Sequence, residues 1–242
     1  MFKKHIPNTI TCGNLVCGCI ATHFAFQGSY SLALTFIIAG AVFDFFDGFM
    51  ARLLHVSSPI GKELDSLADD ITFGFAPSAM LYHLLTTVPA AGIHPVIDRY
   101  LPYAAFVMAA LSALRLAKFN LDERQATSFI GLPTPANALF WGSLATNLHQ
   151  NGWLAGEPWL VWLIVPLILF SCWILVCEIP MFALKFKTYG LQGNILRYSF
   201  ILCSLVLLGS LGWAAGFCAI IVLYVLTSVM NNIIGTKIVE TE

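Results

Sequence analysis

Charge is what this chain has least of. Only 10% of its 242 residues are Asp, Glu, Lys or Arg, against about 25% in an ordinary soluble domain. With 58% hydrophobic residues and a mean hydropathy of +0.81, a water-soluble globular domain is excluded. Nothing points to nucleic acid as a partner either: 12 Lys and Arg stand against 13 Asp and Glu, and an oily chain of this kind offers no soluble basic face to bind it. The seven cysteines, Cys12, Cys17, Cys19, Cys172, Cys177, Cys203 and Cys218, contain no Cys-x-x-Cys pair. Their spacing fits no zinc or redox site, and they read as small buried hydrophobes within apolar runs. Repeats, low-complexity tracts and linkers are absent, so residues 1–242 read as a single membrane domain. A cleavable leader is not expected, because Lys3, Lys4 and His5 run directly into a segment with Asn8, Thr11 and Asn14 and no small-residue cleavage site.

What the chain has in quantity is apolar runs near the ~17–25 residues that cross a bilayer. They recur at 8–27, 31–54, 66–88, 101–118, 133–150, 158–178, 195–212 and 214–234. This predicts an all-α integral membrane protein, a polytopic bundle of about eight transmembrane helices, the last two joined by a tight turn at Leu211, Gly212 and Trp213. Cytoplasmic loops collect Lys and Arg. With the N-terminus inside, Lys3, Lys4, Arg52, Lys62, Arg115, Lys118, Arg124, Lys185, Lys187, Arg197 and Lys237 fall on the cytoplasmic side and Arg99 alone outside. The expectation is a multi-pass protein of the cell membrane with both termini in the cytoplasm.

The remaining charge is concentrated. From Asp44 to Asp69 the chain reads DFFDGFMARLLHVSSPIGKELDSLAD, with four aspartates in one oily stretch. Each carboxylate at a membrane helix costs ~2.5–3.5 kcal/mol even on the lenient insertion scale, so a group of them needs a compensating cation or a watery cavity. At 100° per residue, Asp44 and Asp47 lie about 60° apart on one face, and Asp65 and Asp69 about 40° apart on theirs. The short link with Pro59 and Gly61 makes these helices antiparallel neighbours, so the two pairs converge. Hard oxygen ligands without His or Cys select Mg²⁺, Mn²⁺ or Ca²⁺, and two such ions ~3.5–4 Å apart clamp a phosphate undergoing displacement. Gly48 and Ala51 thin the helix beside the acids, and Arg52 offers a planar cation for phosphate. An ion pathway through a transporter would need acids continuing toward the other side. None follow.

The run Asp44-x2-Asp47-Gly48-x2-Ala51-Arg52-x8-Gly61-x3-Asp65-x3-Asp69 resembles the complete signature of the CDP-alcohol phosphotransferase family. The resemblance implies a six-helix membrane core, here residues 5–190, with two further helices at 195–234. It implies a homodimer with one or two divalent ions, Mg²⁺ or Mn²⁺ with Ca²⁺ able to substitute in binding, that moves a phosphoalcohol from a CDP-linked donor to an acceptor hydroxyl and releases CMP. By the same resemblance Asp44, Asp47, Asp65 and Asp69 ligate metal, Asp69 is also the general base, and Gly48, Ala51, Arg52 and Gly61 line the nucleotide and pyrophosphate site. Asn8, Thr11 and Asn14 share a helical face, where Asn8 and Thr11 could bond the cytosine or simply join helices.

Flanking stretches, Gly61 to Asp69 with Phe73-Gly74-Phe75-Ala76-Pro77, Pro7 to Leu15, Ala113 to Asn120, and Gly131 to Ala136, resemble the membrane phosphatidylserine synthase branch of that family. The branch implies CDP-diacylglycerol as donor and L-serine as acceptor; the phosphatidylglycerophosphate and inositol-phosphate branches are the alternatives. Lys62, Arg115 and Lys118 are candidates for the serine carboxylate, and Glu63 and Asn120 for its ammonium. Asp70 points about 100° away from Asp69 and reads as a neighbour.

Overall fold

The computed structural model describes residues 5–87, 95–122, 129–152, 159, 161–182, 190 and 194–239. Lys3, Lys4, Arg124, Lys185, Lys187 and the side chain of Lys237, all among the positives counted above, lie outside the described residues. The chain begins with α1 (His5–Phe26) and α2 (Tyr30–Leu53), which pack along each other. α2 stops in a left-handed residue that is not glycine: His55 has φ 52°. The His55 N–H donates to Arg52 O at 3.2 Å and the Val56 N–H to Ala51 O at 3.0 Å, which closes the last turn as a Schellman motif. Three residues later Ser58 caps α3 (Pro59–Asp69), accepting the Gly61 N–H at 3.0 Å with Pro59 in the first turn. Two helix ends are thus fixed within five residues, and that brings the acids of α2 beside those of α3.

Directly after Asp69 the helix widens into a π segment, Asp70–Phe75, before continuing as α4 (Ala76–Thr87). Widened turns of this kind occur often at functional sites. The chain then forms α5 (Pro95–Tyr100), a 3₁₀ turn at Leu101–Ala104, and α6 (Ala105–Leu121). A two-residue strand β1 (Phe129–Ile130) pairs antiparallel with β2 (Pro180–Met181) and brackets α7 (Thr134–Gln150) and α8 (Val161–Val176). Last comes α9 (Ile195–Val239), broken at Gly212 with φ 73° and ψ 174°. Its arms fold back on each other: the Phe200 and Tyr224 rings are 6.0 Å apart, and a Cβ at Gly216 would lie 2.9 Å from the Leu208 side chain.

Four helical stretches, His5–Phe26, Tyr30–Leu53, Leu101–Leu121 and Ile195–Ile233, are long and apolar enough to cross a membrane, and Val161–Val176 is a shorter apolar helix. The outside of the bundle shows Phe45, Phe46, Leu163, Leu169, Leu205 and Val206 exposed, large apolar side chains that belong in lipid. The protein is an all-α integral membrane protein. The expectation that all seven cysteines are buried is corrected: Cys17 and Cys172 are buried, but Cys12, Cys19 and Cys203 are exposed. Cys12 and Cys19 are seven residues apart, two turns of α1, so both share its outer face.

The core is tightest where it positions the acids. Thr72, in the π segment, sits against two glycines: a Cβ at Gly18 would lie 2.4 Å from Thr72 Oγ1, and one at Gly40 would lie 2.5 Å from Thr72 Cγ2. Small residues let membrane helices approach this closely. The Thr72 hydroxyl donates to the Asn14 carbonyl oxygen at 3.0 Å, locking α1 to the π turn just past Asp69.

Candidate active site

Asp44 and Asp47 from α2 and Asp65 from α3 each present one carboxylate oxygen, and the three oxygens lie within 4.8 Å of one another. Asp47 is 6% exposed. Its Oδ2 accepts the Thr11 hydroxyl at 2.6 Å. Asp65 Oδ1 is buried and, among the described residues, meets no hydrogen-bond donor. Carboxylates crowded like this repel unless a cation sits among them. An all-oxygen set with an unpartnered oxygen aimed inward suits a hard divalent ion.

Asp69 lies beside that trio and lines one cavity with Asp44 and Asp65. It is buried, and its Oδ1 accepts the Asn14 Nδ2–H at 3.0 Å. Asn14 is itself fully buried, so α1 supplies a holder for each half of the motif, Thr11 for Asp47 and Asn14 for Asp69. Two cavities flank the acids. One, of about 350 Å³, is lined by Asn8, Thr11, Asp47, Gly48, Ala51 and Gly61. A Cβ on Gly48 would meet only Arg52 Nη1, at 3.5 Å, so the space above that turn is open to a ligand. The other, of about 220 Å³, is lined by Asp44, Asp65, Asp69, Arg115, Asn120 and Pro133. Asp65 lines both.

Carboxylates at this spacing on paired helices, between two cavities, coincide with a sequence match that runs the length of the core: residues 4–184 match the CDP-alcohol phosphatidyltransferase family. The chain belongs to this family. It is 41% identical over 133 residues to a CDP-diacylglycerol--serine O-phosphatidyltransferase of Bacillus subtilis, covering 54% of this chain and 70% of that protein. The enzyme of the same name from Mycobacterium leprae is 31% identical over 186 residues, 73% of this chain and 57% of that protein. The one from Methanocaldococcus jannaschii is 34% identical over 134 residues, 55% and 57% of the two chains. The matches thus span little more than half the length of the latter two relatives.

Within this CDP-alcohol phosphatidyltransferase the other candidate residues separate by environment. Arg115 is 6% exposed, which removes it from the headgroup-anchoring positives at the helix ends. Its guanidinium carbon lies 5.2 Å above the Phe119 ring, and Nη1 is 3.5 Å from Thr134 Oγ1. Nε and Nη2 are buried without a partner among the described residues. Arg115 also lines a third cavity of about 420 Å³, shared with Lys118, Asp122 and Glu178, so it stands between that vestibule and the acids.

Lys62 Nζ donates to the Asn120 carbonyl oxygen at 2.7 Å, and Asn120 Nδ2 donates to Ser66 Oγ at 2.7 Å. Both contacts tie α3 to α6. Lys118 and Glu63 are exposed, and Glu63 lines neither cavity beside the acids. Arg52 is exposed at the rim next to Gly48. Asp70 faces away: its Oδ1 would lie 2.7 Å from a Cβ on Gly74, next to Ser112 on α6. The Asn14 bond to Asp69 escaped the sequence reading, which had only the three-residue spacing of Asn8, Thr11 and Asn14 as a signal.

Proposed function

We propose that the chain is a phosphatidylserine synthase, transferring the phosphatidyl group of CDP-diacylglycerol to the hydroxyl of L-serine with release of CMP. The observation that carries this reading is the buried, half-unpartnered Arg115 in the cavity next to Asp69, which suits one small carboxylate. The relatives of that printed function support it. The cytidine diphosphate lies over Gly48 and Ala51, reached by Asn8 and Arg52. Asp44, Asp47 and Asp65, with Asp69 beside them, would hold a divalent ion, Mg²⁺ or Mn²⁺, which would supply positive charge at the pyrophosphate and make CMP a better leaving group.

L-serine occupies the second cavity. Arg115 takes its carboxylate through Nε and Nη2. Asn120 has its amide nitrogen on Ser66, leaving Oδ1 to accept from the ammonium. Asp69, oriented by Asn14, accepts the hydroxyl proton as the serine oxygen attacks the phosphorus that bears the diacylglycerol. The bond from that phosphorus to CMP breaks and CMP leaves with the electron pair. A carboxyl with an ordinary pKa of ~3.9 cannot deprotonate an alcohol beforehand, so proton transfer accompanies attack. We place the site and both termini at the cytoplasmic face of a homodimer whose protomers cross the membrane eight times. The positives of the helix ends and the α9 hairpin support that arrangement.

The experiment is CMP release by detergent-purified protein given CDP-diacylglycerol, Mg²⁺ or Mn²⁺ and labelled L-serine. CMP and labelled lipid are expected only with serine present. Turnover with glycerol 3-phosphate in place of serine would overturn the acceptor.

A further inference from the structure

α1 carries no carboxylate of its own, yet it governs how the aspartates of its neighbours can be used. Thr11 is 3% exposed, and two oxygens compete for the single hydrogen of its hydroxyl: Asp47 Oδ2 at 2.6 Å and the Pro7 carbonyl oxygen at 3.0 Å. The shorter distance is that of an O–H donating to a carboxylate, the stronger acceptor of the two. The hydrogen therefore belongs to Asp47. The sequence offers Thr11 for the cytosine, but a hydroxyl committed to Asp47 has no hydrogen left to donate to a base.

Asn14 repeats the arrangement three residues on, its Nδ2–H donating to Asp69 Oδ1 at 3.0 Å. Each of these two carboxylates thus has one oxygen taken by α1 and one left over. The holders have little play. Asn14 is fully buried, its carbonyl oxygen accepts the Thr72 hydroxyl at 3.0 Å, and there is no room for a Cβ at Gly18 or Gly40 where α1 and α2 meet the π segment. A carboxylate held in this way is a fixed ligand that offers a single oxygen.

Hard cations differ in how much of a carboxylate they take. Ca²⁺ gathers about 6–8 oxygens in flexible geometry and accepts both oxygens of one carboxylate, whereas Mg²⁺ demands a near-octahedral set, keeps several waters and uses one or two carboxylates. We propose that Thr11 is a positioning residue that sets ion selectivity: by occupying Asp47 Oδ2 it limits Asp47 to one ligand oxygen and favours a small ion over Ca²⁺. This rests on the assignment of Asp44, Asp47 and Asp65 as the residues that would hold the ion.

The test titrates Mg²⁺, Mn²⁺ and Ca²⁺ separately into full-length protein in detergent, without CDP-diacylglycerol or serine, with affinity read by calorimetry. Partners that orient a metal ligand are worth about 10- to 100-fold in metal affinity. Thr11→Val keeps the shape of the side chain and removes the hydroxyl. It is expected to lose that factor for Mg²⁺ and Mn²⁺, while Ca²⁺, able to use the freed Oδ2, changes by about threefold at most. Thr11→Ser keeps the hydroxyl and is expected to match the wild type for all three ions. If the valine variant does not fold, Thr11→Cys, whose thiol is only a weak donor, is expected to shift selectivity the same way. Equal losses for all three ions would mean that Thr11 only supports the fold, and would overturn the proposal, as would a serine variant that shifts like valine. A wild type that binds no ion overturns the metal assignment and the proposal together; one whose ion selectivity is unmoved by Thr11→Val overturns the proposal alone. No turnover is measured, so the outcome is independent of the acceptor.

Discussion

Replacing Arg115 by Gln removes the cation of the acceptor cavity while keeping an N–H₂ group and much of the packing on Phe119. Among the described residues Nε and Nη2 meet no hydrogen-bond partner, so on the proposed assignment they are the bonds lost to substrate. A hydrogen bond to a charged group is worth about 1.5–3 kcal/mol. Glutamine recovers part of one, which leaves a net loss of roughly 2–4 kcal/mol, or about 30- to 1,000-fold in affinity at 1.4 kcal/mol per decade. That loss belongs to serine alone, because the nucleotide cavity on the other side of the acids contains no atom of Arg115. The assay is initial-rate CMP release, varying serine at saturating CDP-diacylglycerol and then the reverse. KM for serine should rise by that factor while KM for the nucleotide lipid moves less than threefold. Arg115→Lys should recover little, since a point charge does not reproduce a two-donor fork. An unchanged serine KM, or equal rises for both substrates, would refute the assignment.

Asp69→Asn should abolish CMP release yet keep the metal-dependent rise in melting temperature, because Asp44, Asp47 and Asp65 hold their arrangement without it; residual turnover would remove Asp69 as the base. Gly40→Ala puts a Cβ 2.5 Å from Thr72 Cγ2 and should destabilise the bundle by about 1–3 kcal/mol in detergent unfolding. Adding Thr72→Ser deletes that methyl and keeps the hydroxyl on Asn14, so the double variant should recover part of the loss, the remainder coming from Asn14 Oδ1 at 2.9 Å from the same Cβ, and fully additive losses would contradict the contact. His55→Gly, at φ 52°, should stabilise by about 0.5–1 kcal/mol without changing turnover; a loss of stability would mean that the imidazole makes a contact that outweighs the backbone strain.

The motif itself was legible in the sequence because spacing along a helix is local. Asp44, Asp47 and Asp65 meet as 100° arithmetic and a short capped link require. What holds Asp69 could not be read the same way: it is Asn14, fifty-five residues away, on a helix whose partners no periodicity names. The π segment was equally invisible: a widened turn begins where the helix period stops being a guide. In the sequence Arg115 is a candidate for the serine carboxylate on the same terms as Lys62 and Lys118. Only the packing of Phe119 and Thr134 around it shows a buried guanidinium. The turn at Gly212 could be read, because a glycine between two apolar runs of membrane length leaves few other conformations.

The hairpin at Gly212 has a consequence for how the enzyme is made. Its two arms contribute Phe200 and Tyr224 to a wall that meets Phe129 and Pro133, and Phe129 and Pro133 line the cavity with Asp69 and Arg115. A ribosome produces the acid-bearing helices well before this hairpin. A nascent chain therefore holds every motif aspartate before the residues packed behind Phe129 and Pro133 exist. On the proposed assignment activity waits on insertion of the hairpin, and a copy cut before Ile195 keeps its signature while losing the support of the acceptor cavity.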